Sequence, residues 1–221
     1  MKIPASFQYL KFVFYNLIKV LIQIHPQNPQ PRLIKQVADC LRAGGVIIYP
    51  TDTIYGLGCN ILNHKAIEKI CQIKNINPRK AQLSFICSSL SNLSDYTKSI
   101  DTPLYRMLKQ YLPGPYTFIL PASKLVPKIL QNKKSTVGIR IPDNIICNDI
   151  LKELGNPIIS TSLPGGLENN YADAETIYEQ FGELVDMVID GGTGGLIPST
   201  IVDCTGDEWQ LIRQGLGVWE K

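Results

Sequence analysis

The chain has only two histidines, His25 and His64, among its 221 residues. That excludes a His-rich metal site, and it excludes a Ser-His-Asp triad unless one of these two serves it. The six cysteines, Cys40, Cys59, Cys71, Cys87, Cys147 and Cys204, include no C-x-x-C pair and nothing resembling a zinc knuckle. Most fall in apolar patterns, as reduced buried thiols do, which fits a reducing cytosol. Excess charge is also scarce. There are 22 Lys plus Arg against 19 Asp plus Glu, and the surplus is Lys2, Lys11 and Lys19, so residues 24–221 balance. Bulk charge therefore argues against a polyanion-coating protein and leaves room for a local basic cleft. Phosphate-binding signatures are missing too: no G-x-x-x-x-G-K-[ST] occurs, and no G-x-G-x-x-G opens a helix.

What is present describes a folded chain: 44% hydrophobic residues and a mean hydropathy of +0.01. A single α/β domain of this length can bury a core without disulfides or metal. No repeat, low-complexity tract or polar linker divides it. Ala5 to Gln23 is apolar and aromatic, but Lys11 and Lys19 interrupt it, which makes a poor spanning helix. No A-x-A cleavage signature precedes His25. Residues 1–23 read as an N-terminal extension, an extra helix or a misassigned start, and residues 24–221 as the main domain. No membrane partner is expected for that domain.

From about Gln30 the pattern alternates. Leu33, Ile34, Val37, Ala38 and Leu41 share a helical face that Gly44-Gly45 stop, and Val46 to Tyr49 is an apolar strand. Helices follow at Ile67–Cys71 and Leu104–Tyr111, and at about Ser123–Gln131, about Ile145–Leu154 and about Ala174–Phe181. Strands follow at Leu83–Cys87, Tyr116–Leu120, Thr136–Arg140 and Pro157–Ser160. Met187–Ile189, Thr200–Val202 and Gln210–Arg213 are strands without intervening helices, a pattern that suggests antiparallel pairing. The expected fold is one α/β domain, a twisted mixed parallel and antiparallel sheet flanked by helices.

Polar clusters follow the strands: Thr51-Asp52-Thr53, Arg140 and Ser160-Thr161-Ser162. In open α/β sheets ligands collect outside strand ends, where small hydroxyls leave space and Arg holds a carboxylate or phosphate. Arg213, on the last strand, is placed to act likewise. Helix capping or surface pairing explains any one of these residues, so the weight lies on the combination. Gly191-Gly192-Thr193-Gly194-Gly195 precedes a strand rather than a helix, which makes a flexible turn a better reading than a phosphate cradle. From the residues alone, the reading stops at a cleft for a small anion or nucleotide.

Gly44-Gly45-Val46-Ile47-Ile48-Tyr49-Pro50-Thr51-Asp52-Thr53-Ile54-Tyr55-Gly56-Leu57-Gly58 resembles the opening signature of the YrdC/YciO family. Further blocks resemble it in order: Pro113–Thr117, Val137–Pro142, Ser160–Ser162, Pro198–Asp203 and Arg213–Gly215. The likeness spans about Ile24 to Gly217. It implies a YrdC-like domain that makes L-threonylcarbamoyladenylate from L-threonine, bicarbonate and ATP, with release of pyrophosphate, for tRNA modification in the cytoplasm. Mg²⁺ would arrive with ATP as part of the substrate, and no protein metal site is implied. By motif, Thr51, Thr53, Arg140 and Ser199 would line the threonine pocket. Lys74, Thr117, Ser162 and Arg213 would approach the nucleotide, Lys74 as the catalytic cation over the phosphates.

Two positions depart from the family's synthases. Where these carry K-x-R, Lys74 is followed by Asn75-Ile76, and Arg79 or Lys80 sits at the wrong spacing to substitute. Where they carry S-A-N, this chain has Ser162-Leu163-Pro164. With Tyr116 in Pro-Gly-Pro-Tyr-Thr, these gaps look like the YciO branch. They leave open a nucleotide- or RNA-binding relative without full synthase activity, for which Lys69, Lys74, Arg79 and Lys80 would supply cations. They also leave open a transfer enzyme with another amino acid in the threonine pocket.

Overall fold

The computed structural model describes residues 20–78, 81, 83–130, 135–165 and 171–220. The strands are β1 (Val20–Gln23), β2 (Val46–Tyr49), β3 (Gly56–Asn60), β4 (Ser84–Ile86), β5 (Tyr116–Pro121), β6 (Thr136–Arg140), β7 (Ile158–Ser162), β8 (Met187–Asp190), β9 (Thr200–Asp203) and β10 (Gln210–Arg213). The helices are α1 (Pro31–Arg42), α2 (His64–Ile73), α3 (Leu90–Ser94), α4 (Thr102–Tyr111), α5 (Ile145–Leu154) and α6 (Ala174–Phe181). The strands form one mixed sheet in the order β1-β8-β2-β3-β7-β4-β6-β5-β9-β10. The pairs β1/β8, β8/β2, β4/β6 and β5/β9 are parallel, and the other neighbours are antiparallel.

Local chemistry sets the helix ends. Asn63, Ser89, Asp101, Asn144 and Asp173 each accept the backbone N–H three residues on, so five of the six helices among the described residues carry a side-chain N-cap. The sixth, α1, starts instead with Pro31, whose missing N–H is no loss in a first turn. Gly155, at φ 83°, ends α5 in the left-handed conformation.

Strand alternation divides the interior into two cores. Val46, Ile48, Leu57, Phe85, Phe118, Ile139, Ile159 and Val202 face one core, covered by α2, α4 and α6. Ile47, Tyr49, Ile86, Ile158, Met187 and Ile189 face the other, covered by α1 and α5. This second core draws nothing from β5, β6, β9 or β10. On the corresponding face of the sheet's other half, alternation places Ser84, Thr117, Gly138, Arg140, Ser160 and Ser162. A Cβ built on Gly138 would come within 3.2 Å of Ser84 Oγ and 3.5 Å of Thr117 Cγ2, so these three side chains share that face.

Four expectations change. Val20–Gln23, expected as part of the extension, is the edge strand β1, paired with β8 from Val20↔Met187 to Gln23↔Asp190. The sheet thus begins inside the segment set apart, and residues 1–19 lie outside those described. β3 is a strand that periodicity did not predict. The helix expected over Ser123–Gln131 is only a 3₁₀ turn at Lys128–Leu130, because Pro127 biases Val126 away from helical backbone; Gln131 lies outside the described residues. Of the last three strands only β9 and β10 pair antiparallel, while β8 inserts between β1 and β2.

Candidate active site

The turn after β2 orders itself. Thr51 Oγ1 donates to Ile54 O at 2.7 Å and accepts Thr53 N–H at 3.1 Å, and the two threonine hydroxyl oxygens are 3.1 Å apart. Arg140, at the end of β6, reaches this turn. Its Nη2 donates to Thr53 Oγ1 at 2.6 Å, to Thr51 Oγ1 at 3.3 Å and to Asp52 Oδ1. Arg140 and Asp52 side chains are each 9% exposed. Asp52 Oδ2 and Arg140 Nε are buried with no hydrogen-bond partner among the described residues.

The glycine run Gly191–Gly195 buttresses the turn instead of flexing freely. Gly195 N–H donates to Thr53 O at 2.6 Å, and Tyr55 OH donates to Gly192 O at 2.7 Å. A Cβ on Gly195 would fall 2.3 Å from Thr53 O, and one on Gly194 would fall 2.6 Å from the Tyr55 ring. These positions need glycine for close backbone approach.

A second cluster lies on β5, β9 and β10. Thr117 and Ser199 hydroxyls share a hydrogen bond of 2.8 Å, and Arg213 donates to Ser199 O through Nη2 at 2.7 Å and Nε at 3.3 Å. Burial holds the Arg213 pKa below its ordinary value, and the positive charge of Arg140 lowers it further. The Arg213 guanidinium thus lies within the electrostatic reach of Arg140.

Lys74 comes from the opposite layer. It caps α2, and its Nζ donates to Ser162 O at 2.9 Å, Leu163 O at 3.2 Å and Ser162 Oγ at 3.3 Å. Burial lowers its pKa from the ordinary lysine value. The next residues close the helix with paired bonds, Ile76 N–H to Cys71 O at 2.9 Å and Asn75 N–H to Gln72 O at 2.9 Å, with Asn75 at φ 52°. This is a Schellman stop, whose residue after the left-handed position turns inward. Ile76 accordingly packs on the first core. Arg79 and Lys80 lie outside the described residues.

The structure thus brings Thr51, Thr53 and Arg140 together, and joins Lys74 to Ser162. Ser199, expected with the threonine group, bonds instead to Thr117 and Arg213. Arg140, Thr117, Ser160 and Ser162 lie on a sheet face rather than only beyond strand ends. Asp52 had no role in the sequence reading, since nothing in T-D-T shows whether its carboxylate turns inward. Tyr49, whose OH donates to Ser160 Oγ at 2.7 Å, was read only as core.

Fold and site together define a mixed-sheet α/β domain whose one sheet face carries Arg140 and a row of serine and threonine hydroxyls. The family profile described as "Telomere recombination" (Sua5/YciO/YrdC) matches residues 39–215, and the chain belongs to that family. It is 44% identical over 197 residues to the YciO protein of Escherichia coli K12, covering 88% of this chain and 94% of that one. It is 32% identical over 161 residues to the threonylcarbamoyl-AMP synthase of Coxiella burnetii RSA 493, covering 73% and 86%. Among solved structures it resembles the E. coli YciO crystal structure with a TM-score of 0.84 at 41% identity, covering 91% and 98%. It also resembles P. abyssi Sua5 complexed with L-threonine, with a TM-score of 0.79 at 28% identity, covering 89% of this chain and 57% of that one. Among the described residues no helix is long and apolar enough to cross a membrane.

Proposed function

We infer that this protein is an adenylating enzyme of the threonylcarbamoyl-AMP synthase type, acting on L-threonine, bicarbonate and ATP. The observation that carries the reading is the buried Arg140, held among Thr51, Thr53 and Asp52 with Arg213 close enough to feel its charge. In the reaction, a carbamate oxygen of N-carboxythreonine attacks the α-phosphorus of ATP, and the bond to pyrophosphate breaks. Two anions must be aligned and the leaving group covered by positive charge, so no protein nucleophile is required. Arg140 with the Thr51 and Thr53 hydroxyls holds the amino acid's carboxylate. Arg213 and Lys74 face the phosphates, with Thr117, Ser162 and Ser199 supplying hydroxyls between. Mg²⁺ enters as part of the ATP substrate.

The likeness to the C. burnetii threonylcarbamoyl-AMP synthase and to P. abyssi Sua5 complexed with L-threonine supports this reading. Ile76 favours a second one. It stands where the family's synthases carry Arg and its half-buried side chain packs against the first core, so one cation of the phosphate site is missing, and nucleotide or RNA binding without efficient turnover follows. Incubation of the full chain with bicarbonate and MgATP, with and without L-threonine, separates the two. Threonine-dependent pyrophosphate that falls at least about 100-fold in Arg140→Ala is expected, the scale of one strong transition-state contact. ATP or RNA binding with no threonine-dependent pyrophosphate would leave the second reading, and RNA binding would then weaken as salt rises.

A further inference from the structure

We propose that Tyr116 is a positioning residue for the nucleotide half of the site: it holds the last turn of the chain so that Arg213 stays against Ser199. This rests on the reading of Arg213 as a phosphate-facing cation given above. That chemistry gives Tyr116 no part, although the residue marks the likeness to the YciO branch. β5 carries it beside Thr117, and strand alternation turns the two side chains to opposite faces. Thr117 is buried, with its hydroxyl 2.8 Å from Ser199 Oγ. Tyr116 meets the end of the chain instead. Its OH donates to Val218 O at 2.8 Å, and a Cβ on Gly217 would fall 2.4 Å from its ring. Tyr111 closes the clasp: its ring centroid lies 4.9 Å from those of Tyr116 and Trp219, and its OH donates to Glu220 O at 3.2 Å.

Short links carry this grip back to Arg213. Gly217 O accepts from Gln214 Nε2 at 2.7 Å, Gly215 N–H donates to Thr200 Oγ1 at 2.9 Å, and Leu216 N–H donates to Pro198 O at 2.8 Å. The turn after β10 is thus pinned by Pro198 and Thr200 on one side and by the Tyr116 ring on the other. Arg213 stands immediately before it, with its guanidinium on Ser199 O. The sheet alone holds Arg213 poorly. β10 ends the strand order, is exposed along its length, and shifts register against β9 between Leu211 and Arg213. Chain ends that nothing ties down fray, so the clasp keeps this guanidinium preorganised for an anion.

The test is calorimetric titration of the full chain with MgATP in a double-mutant cycle of Tyr116→Val and Arg213→Ala. Arg213→Ala should weaken binding by about 10- to 100-fold, the range for a hydrogen bond to a charged group. Tyr116→Val, which removes both the ring and the hydroxyl, should weaken it by about 10-fold, and should cost nothing further once Arg213 is gone. Tyr116→Phe keeps the ring on Gly217 and should lose only about 2- to 3-fold. A merely structural role would lower affinity equally with and without Arg213. That additive result, or unchanged MgATP affinity in a folded Tyr116→Val while Arg213→Ala weakens binding, overturns the positioning role and leaves the phosphate reading of Arg213 standing. Wild type that binds no MgATP, or Arg213→Ala that binds it as well as wild type, overturns both. If Tyr116→Val fails to fold, the same cycle with Tyr116→Phe decides, its loss vanishing without Arg213 or the proposal falling.

Discussion

Replacing Thr200 by Val tests how the end of the chain is fastened to the site. Thr200 is fully buried, and its hydroxyl is a junction. It donates to Gly217 O, accepts Gly215 N–H at 2.9 Å and faces Gln214 Nε2 at 3.5 Å. Valine has nearly the same shape, so the change removes a polar group without opening a cavity. Gly217 O keeps the Gln214 Nε2 bond at 2.7 Å, which leaves Gly215 N–H as the group that loses its partner. An unmet buried donor costs about 1–3 kcal/mol, and the added methyl returns up to about 0.8 kcal/mol of apolar burial. A net loss of about 1–2 kcal/mol is expected, or roughly 2–8 °C in Tm for a domain of this size. Urea unfolding with an unchanged slope should show the loss as a lower midpoint. Arg213 precedes this junction on β10, so ATP affinity should fall by roughly 3- to 10-fold, about 1 kcal/mol, in Thr200→Val and hold in Thr200→Ser. A stability change under about 0.5 kcal/mol, the range of an unremarked surface substitution, would refute the fastening argument.

Restoring a cation with Ile76→Arg should raise threonine-dependent pyrophosphate release roughly 10- to 100-fold, the worth of one charge-assisted hydrogen bond in the transition state. It should cost about 1 kcal/mol of stability through the lost apolar contact; unchanged turnover in a folded variant would show that Ile76 does not limit the reaction. The cysteines supply a pH prediction. Burial pushes the Cys40, Cys59, Cys87, Cys147 and Cys204 thiols up to about 12. Unfolded thiols ionise near 8.5, so between about pH 9 and 12 the native state holds more protons and stability falls as pH rises, by up to ~1.4 kcal/mol per pH unit for each thiol. Urea midpoints that stay level from pH 8 to 10.5, or fast alkylation of the native thiols at pH 8, would contradict this.

The sequence made five of the six described helices and most strands legible because their side chains alternate against two apolar layers, while the five-residue α3 is too short to show a periodicity. The helices read at about Ile145–Leu154, with its Gly155 stop, and at about Ala174–Phe181 are both present. β3 escaped notice because two of its five residues are glycine. The reason is steric: a Cβ on Gly58 would lie 2.8 Å from Ile158 Cγ2, Ile159 O and the Tyr49 ring. β1 was hidden inside an apolar, aromatic run in which strand and helix look alike. At the site, Arg140 and its two threonines were legible as motif residues. The inward turn of Asp52 was not, because it depends on where β6 delivers a guanidinium from a distant part of the chain. The bonds of Ser199 to Thr117 and Arg213 join segments far apart in the chain, which no local pattern encodes.

The insertion of β8 between β1 and β2 has a consequence for how the protein is made. Val20 and Ile47 both pair with Met187, so two early strands wait for one made much later. At ~5–20 residues per second, synthesis of that interval takes roughly 7–33 s, far longer than a hairpin needs to close. Until then β2 can pair only through β3, and its other edge stays open to any strand that finds it. Pairings this distant in sequence also slow folding after release. A chain truncated shortly before Met187 would retain most of its residues and lack the strand that joins β1 to the rest of the sheet.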